Sequence, residues 1–169
     1  KVVLNAAGVE AFNKKIIAAS PTVYDMAAYP KTLSGKTVTA YVNTHTDLSD
    51  ELYREGKLVS DNYKNILRSQ TNAAAIPAEV TVRYGVTVRR ANLRNLPTGE
   101  GLFFYASDRN FDALQETALD PGEAVAILHT STNGYFYYVQ AYNYRGWLSK
   151  FDVAETDRST WLRYAEPKN

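Results

Sequence analysis

The chain has two histidines and no cysteine, so the chemistry open to it is narrow. Without cysteine there is no disulfide, no thiolate metal site and no thiol nucleophile. His129 ends the run AVAILH and stands two residues before Ser131, which makes it a candidate base for a hydroxyl nucleophile. Serine catalysis also requires an orienting carboxylate and an oxyanion hole, and no segment supplies them together. A strand-end histidine holding one hydrogen bond is the reading that remains. His45, in NTHTD, reads as a loop residue, and two histidines so far apart make no zinc site. No catalytic residue, metal or cofactor is expected.

Acidic side chains gather between Asp108 and Glu123, with Asp112, Glu116 and Asp120 among them. Taken alone, this is a polar surface loop that turns at Asp120-Pro121-Gly122. Arg83, Arg89, Arg90 and Arg94 form the densest basic run. Strand alternation sends Arg89 and Arg90 to opposite faces, so they cannot join one strip. The net charge of +1 supplies no field that would attract phosphates, and nucleic acid is not an expected partner. No apolar run is long enough to span a bilayer. With 45% hydrophobic and 22% charged residues, the composition is that of a globular protein. Thirteen tyrosines suit half-buried strands and contact surfaces.

Two kinds of element must position these residues. Val9, Phe12, Ile16 and Ile17 recur at helical spacing, and Ser20-Pro21 ends that helix. TLSGKTVTAYV (32–42) reads as a β-branched run after a turn. LSDELYREGKL reads as a helix capped by Ser49 or Asp50 and stopped at Gly56. A further helix follows Ser60, with Tyr63, Ile66 and Leu67 on one face. Past Ile76-Pro77 the period changes to strand alternation. AVAILHTS and YFYYVQAY form a hairpin across Asn133-Gly134, where a type I′ turn is expected. The class is α+β. A helical segment over 1–78 packs on a small barrel over 79–169, whose strands lie between about Glu79 and Ala154. The tether AAAIPAE is too short and too apolar to separate them.

VTVRRANLRNLPT (86–98), followed some fifty residues later by YRGWLSK, resembles the bacterial SH3-like (SH3b) domain. Asn92, Leu93, Arg94, Pro97, Thr98, Gly146 and Trp147 carry the pattern. The stretch FDALQETALDPGEAVAILHTSTNGYFYYVQ (111–140) is similar to the branch that precedes NlpC/p60-type cell-wall cysteine peptidases. These are γ-D-glutamyl-L-diamino acid endopeptidases. VEAFNKKI, with YDMAAYPKTLSG after it, resembles the N-terminal stabilising segment of the same enzymes. In the barrel, Gly146 is expected to permit a strand bend and Trp147 to fill the core beside it.

The resemblance implies an extracytoplasmic setting, periplasmic, secreted or envelope-attached. It implies a peptidoglycan stem peptide as ligand and a catalytic cysteine-peptidase domain as partner, in cis or in trans. In that family the SH3-like domain forms one wall of the substrate cleft, where an acidic group and a tyrosine hold the free amine of L-Ala-γ-D-Glu. Asp112, Gln115 and Tyr144 occupy the matching motif positions. The family's catalytic domain requires a cysteine, so this polypeptide is expected to recognise rather than to cleave. A self-standing peptidoglycan-binding module and an adaptor for a separate hydrolase are the alternatives. The start at Lys1-Val2-Val3-Leu4, without methionine or a complete signal sequence, reads as that of a processed or trimmed product.

Overall fold

The computed structural model describes residues 3–44 and 48–166, so His45 lies outside the described residues. Helix α1 (Ala6–Ala19) starts where the Asn5 side chain accepts from the Gly8 amide at 2.8 Å, and it ends before Ser20-Pro21. Its apolar stripe of Val9, Phe12, Ile16 and Ile17 stays exposed, and no residue of α1 is buried.

The β-branched run 32–42 gives only a three-residue strand, β1 (Thr32–Ser34), before helix α2 (Gly35–Thr44) begins. Ser34 Oγ accepts from the Thr37 amide at 3.1 Å, and Val38 and Val42, four residues apart, bury one face. Burial of that face outweighs the β preference of Val and Thr. LSDELYREGKL is not a helix either. Strands β2 (Tyr53–Arg54) and β3 (Lys57–Leu58) flank Glu55 and Gly56, whose φ angles of 51° and 81° make a tight hairpin turn. Helix α3 (Asp61–Gln70) forms as its Ser60 cap requires, with the Tyr63 amide donating to Ser60 Oγ. Its buried face holds Lys64 and Leu67, and Ile66 points to solvent.

Strand β4 (Glu79–Thr81) pairs with β1, joining Leu33 to Val80. Next come β5 (Arg83–Thr87), β6 (Ala91–Arg94), β7 (Gln115–Leu119), β8 (Ala124–Thr130), β9 (Phe136–Gln140), β10 (Arg145–Ser149) and β11 (Val153–Thr156). These strands form one seven-stranded sheet in the order β11-β5-β8-β9-β10-β6-β7. The β11 and β7 edges are not paired to each other, so the expected barrel is an open sheet among the described residues. Helix α4 (Arg158–Ala165) closes the chain, with Asp157 Oδ1 accepting from the Thr160 amide at 3.0 Å.

Alternation splits the sheet's side chains between two cores. Val125, Ile127, Tyr137, Val139 and Leu148 bury on one face with Leu93 and Leu119. Ala126, Leu128, Tyr138 and Trp147 bury on the other, against Met26, Tyr29, Val38, Val42 and Trp161. Segments from both ends of the chain therefore share one core with the sheet. A third core joins Leu52, Val59 and Leu67 to Leu96, Leu102 and Leu114.

One turn and one strand glycine differ from their sequence reading. The β8–β9 loop closes through the Gly134 amide to Ser131 O at 2.9 Å, and of its residues only Gly134 has positive φ, which excludes the type I′ turn. Gly146 marks a close backbone approach instead of a bend: a Cβ there would lie 2.6 Å from the Arg94 carbonyl oxygen. Trp147 is fully buried, as expected.

Candidate functional site: a depression at the β9–β10 hairpin

The β9–β10 hairpin closes with the Ala141 amide donating to Tyr144 O at 2.8 Å, which leaves Tyr142 and Asn143 at the tip. Buried Gln140 locks the base. Its amide nitrogen donates to Ala141 O at 2.7 Å and to Tyr144 O at 3.0 Å, and its oxygen accepts from Arg145 Nε at 2.6 Å. Arg145 Nη2 donates to the Tyr24 hydroxyl at 2.9 Å, and the guanidinium lies 3.4 Å over the Tyr41 ring centroid. Cation–π contact of this kind is strongest where water is displaced.

Beside this frame lies a depression of about 360 Å³, lined by Thr22, Glu116, Gln140, Asn143, Tyr144 and Arg145. Tyr144 is 41% exposed and so offers its ring to a ligand. Among these side chains no nucleophile is paired with a base. The lining brings one carboxylate, Glu116, and the Tyr144 ring beside the Arg145 guanidinium, whose own hydrogen bonds go to Gln140 and Tyr24. Below it, burial pushes the Tyr29 and Tyr138 hydroxyls well above the usual tyrosine range. Both stay protonated and structural; Tyr138 donates to Tyr41 O at 2.9 Å.

Asp112 and Gln115 sit elsewhere and meet each other at Arg94. Asp112 Oδ2 lies 2.7 Å from Arg94 Nη1, and Oδ1 accepts from the Leu102 and Leu114 amides, both at 3.0 Å. Gln115 Oε1 accepts from Arg94 Nη1 at 3.4 Å, and its amide donates to Thr117 O. Arg94 Nη2 donates in turn to Glu100 O at 2.5 Å. Neither Asp112 nor Gln115 lines the depression that holds Tyr144; Glu116 does. The β6–β7 register shifts here, with Leu93 opposite Thr117 and Arg94 opposite Gln115, so Glu116 sits at a bulge and alternation in the sequence does not give its direction.

The remaining motif residues and the other residues singled out in the sequence make contacts within the fold. Asn92 Oδ1 accepts from Gln115 Nε2 at 3.4 Å, while Leu93 and Pro97 are buried. His129 Nε2 lies 3.0 Å from Asn72 O, and its ring meets Trp147 edge-on at 6.3 Å. Ser131 Oγ donates to Asn133 Oδ1 at 2.7 Å, so it is bonded to Asn133 and not to His129. Arg89 and Arg90 pair separately with Asp152 and Asp120. Among the described residues no group of three His, Asp or Glu is placed to hold a metal, and no helix is long and apolar enough to cross a membrane.

Residues 102–149 match the family model of the SH3 domain of the SH3b1 type. That stretch includes β7 to β10, and with them Glu116 and Tyr144. No curated protein matches the chain. Among solved structures, an NlpC/P60 endopeptidase from Photobacterium damselae subsp. piscicida is similar, with a TM-score of 0.68 and 18% identity. The match covers 96% of this chain and 40% of the endopeptidase, so the chain spans two-fifths of that protein's length. At that identity the likeness is one of fold. The resemblance read in the sequence thus rests on an SH3 domain of the SH3b1 type at residues 102–149, carried in a chain that shares its fold with part of an NlpC/P60 endopeptidase.

Proposed function

We propose that this chain is the non-catalytic, ligand-holding part of an extracytoplasmic murein peptide hydrolase of NlpC/P60 type. It binds the L-Ala-γ-D-Glu end of a cell-wall stem peptide and presents that peptide to a cysteine-peptidase domain. The carrying observation is that Glu116 and Tyr144 line one depression on the matched SH3 domain. A peptide amine is a cation, and a carboxylate beside an aromatic face pairs with it. Tyr144 keeps the contact role that the sequence resemblance implies, Glu116 supplies the charge, and Asp112 with Gln115 hold β7 in place through Arg94. In this reading residues 1–78 scaffold the sheet of 79–169 as one unit. Because one wall alone encloses the ligand, the dissociation constant is on the order of millimolar.

Titration of the ¹⁵N-labelled chain with L-Ala-γ-D-Glu tests this. Amide shifts confined to Glu116, Asn143 and Tyr144 are expected. They should vanish when the ligand amine is acetylated and weaken in Glu116→Gln and Tyr144→Ala. A silent hairpin at tens of millimolar peptide refutes the proposal.

A further inference from the structure

Helix α1 buries none of its 14 residues. A helix of that length is marginal in water unless one face is covered. Val9, Phe12 and Ile16 fall at i, i+3 and i+7 on one face, with exposures of 45%, 54% and 39%. Leu4 continues the stripe past the Asn5 cap. A Cβ on Gly8 would meet Leu4 Cδ2 at 3.2 Å, and Val3 and Leu4 are 88% and 49% exposed. On the opposite face Glu10 pairs with Lys14 at 2.6 Å. Lys15 is then the helix's one unpaired charge among the described residues. It stands about 100° round the axis from Ile16, at the border of the stripe.

Where α1 joins the body there is a second feature. The Tyr24 amide donates to Tyr142 O at 2.7 Å, and Ala27 O accepts from Arg158 Nη2 at 3.0 Å. The segment leaving α1 thus ties the β9–β10 tip to α4. There Tyr142 and Tyr164 share a shallow depression and are 51% and 48% exposed. Half-exposed tyrosines suit a boundary between an apolar phase and water.

We infer that α1 is an interfacial helix that lies on an anionic lipid surface, its Val9–Phe12–Ile16 stripe among the acyl chains and Tyr142 and Tyr164 at the headgroups. At about 21 Å the helix is long enough to lie in the surface plane, and no described helix is long and apolar enough to cross it. Lys15 stands where an interfacial helix places a cation, with its stem along the apolar face and its ammonium at the phosphates. A second copy is the poorer occupant. Three half-exposed side chains from each helix fall short of the roughly 1,200 Å² that a specific protein interface buries. A lipid surface needs no complementary shape and covers Val3 and Leu4 as well. Glu123 lines the depression with the two tyrosines, so the preference for anionic lipid comes from Lys15.

Flotation of the full chain with vesicles tests this, using phosphatidylcholine alone and phosphatidylcholine mixed with phosphatidylglycerol. The chain should bind both and hold the anionic vesicles about five-fold tighter, the effect of one cation near the surface. Lys15→Gln should erase that preference and leave binding to neutral vesicles in place. Phe12→Ser combined with Ile16→Ser should lower binding roughly ten-fold. Neither side chain is buried, so the melting temperature should not move. A headgroup spin label should broaden the amides of Leu4, Phe12, Ile16, Tyr142 and Tyr164 and spare the buried Leu93 and Val139. A chain that stays with neither vesicle at lipid concentrations on the order of millimolar refutes the inference. Binding that survives the double serine variant refutes it too. So does a dimer in vesicle-free sedimentation that the same variant dissolves, which assigns the stripe to a second copy. The vesicles carry no peptide, so each result stands apart from the reading of Glu116 and Tyr144.

Discussion

Arg94 and Asp112 form an ion pair at the foot of the loop between β6 and β7, with side chains only 7% and 19% exposed. Asp112 Oδ1 holds the Leu102 and Leu114 amides while Oδ2 meets the guanidinium, so one carboxylate fixes both ends of the loop. Removing it strands a buried cation whose Nε already has no partner among the described residues. Asp112→Ala should therefore cost about 3–5 kcal/mol, the usual penalty for breaking a buried pair from one side. Urea denaturation measures it. A loss below about 1 kcal/mol would show that water reaches Arg94 and that the pair is effectively a surface one.

Gly146 and Arg94 touch through their backbones where β10 crosses β6. A methyl group at 146 would sit 2.6 Å from the Arg94 oxygen and 3.1 Å from Leu93 Cγ, and strand backbones cannot give way cheaply. Gly146→Ala should destabilise by about 1–3 kcal/mol, as overpacking does. Gly99 is the internal control, because an added Cβ there meets nothing within 4 Å. Gly99→Ala should be neutral within about 0.5 kcal/mol. Equal melting temperatures for the two variants would refute the close-approach explanation.

How legible the molecule was depended on whether a local signal agreed with its surroundings. Ser60 capped α3 as its side chain requires, and Asn92-Leu93-Arg94 with Gly146-Trp147 lay on adjacent strands of the sheet. The misread elements were those whose composition argued one way and whose burial argued the other. Val38 and Val42 are β-formers, yet their spacing put both under α2. Glu51, Leu52 and Arg54 favour helix, yet Glu55-Gly56 turned the chain into a hairpin that pairs Tyr53 with Phe103, a contact fifty residues away. At the site, Tyr144 lines the depression, whereas Asp112 and Gln115 meet at Arg94 and Glu116 lines the depression in their place. No pattern in the sequence marks the register shift between β6 and β7 beside Glu116.

His129 gives the fold a pH dependence with a definite sign. Burial, the largest influence, holds its imidazole below the ordinary histidine value of 6.5 against the opposing pull of the Asn72 carbonyl. The unfolded chain takes up a proton below about pH 6.5, while the folded chain resists until lower pH. Its contribution is complete above pH 6.5 and is lost as pH falls towards the folded value. Urea midpoints at pH 8.0, 6.5 and 5.0 should show a drop on the acid side that is smaller in His129→Gln. A variant that retains the full drop would assign the effect to the carboxylates.

The last prediction concerns the joint between the helical segment and the sheet, and it follows from Arg145. This side chain spans the joint: Nε bonds Gln140 of β9, Nη2 bonds Tyr24, and the guanidinium covers Tyr41 of α2. Around it, Met26, Tyr29, Val38 and Val42 share a core with Val80, Tyr138, Trp147 and Trp161. A core drawn from both parts should unfold as one unit, with a single calorimetric transition and no stable pieces after proteolysis near Ile76. Arg145→Ala removes two hydrogen bonds and a partly desolvated cation–π contact, at a cost of about 2–4 kcal/mol. Arg145→Lys should recover less than half of that, because an ammonium cannot bond Gln140 and Tyr24 at once while stacking on Tyr41. Both variants should lower the one transition without splitting it. Two separate transitions in the wild-type chain, or an Arg145→Ala variant that melts only the segment before Ile76, would show that residues 1–78 and 79–169 fold as separate units.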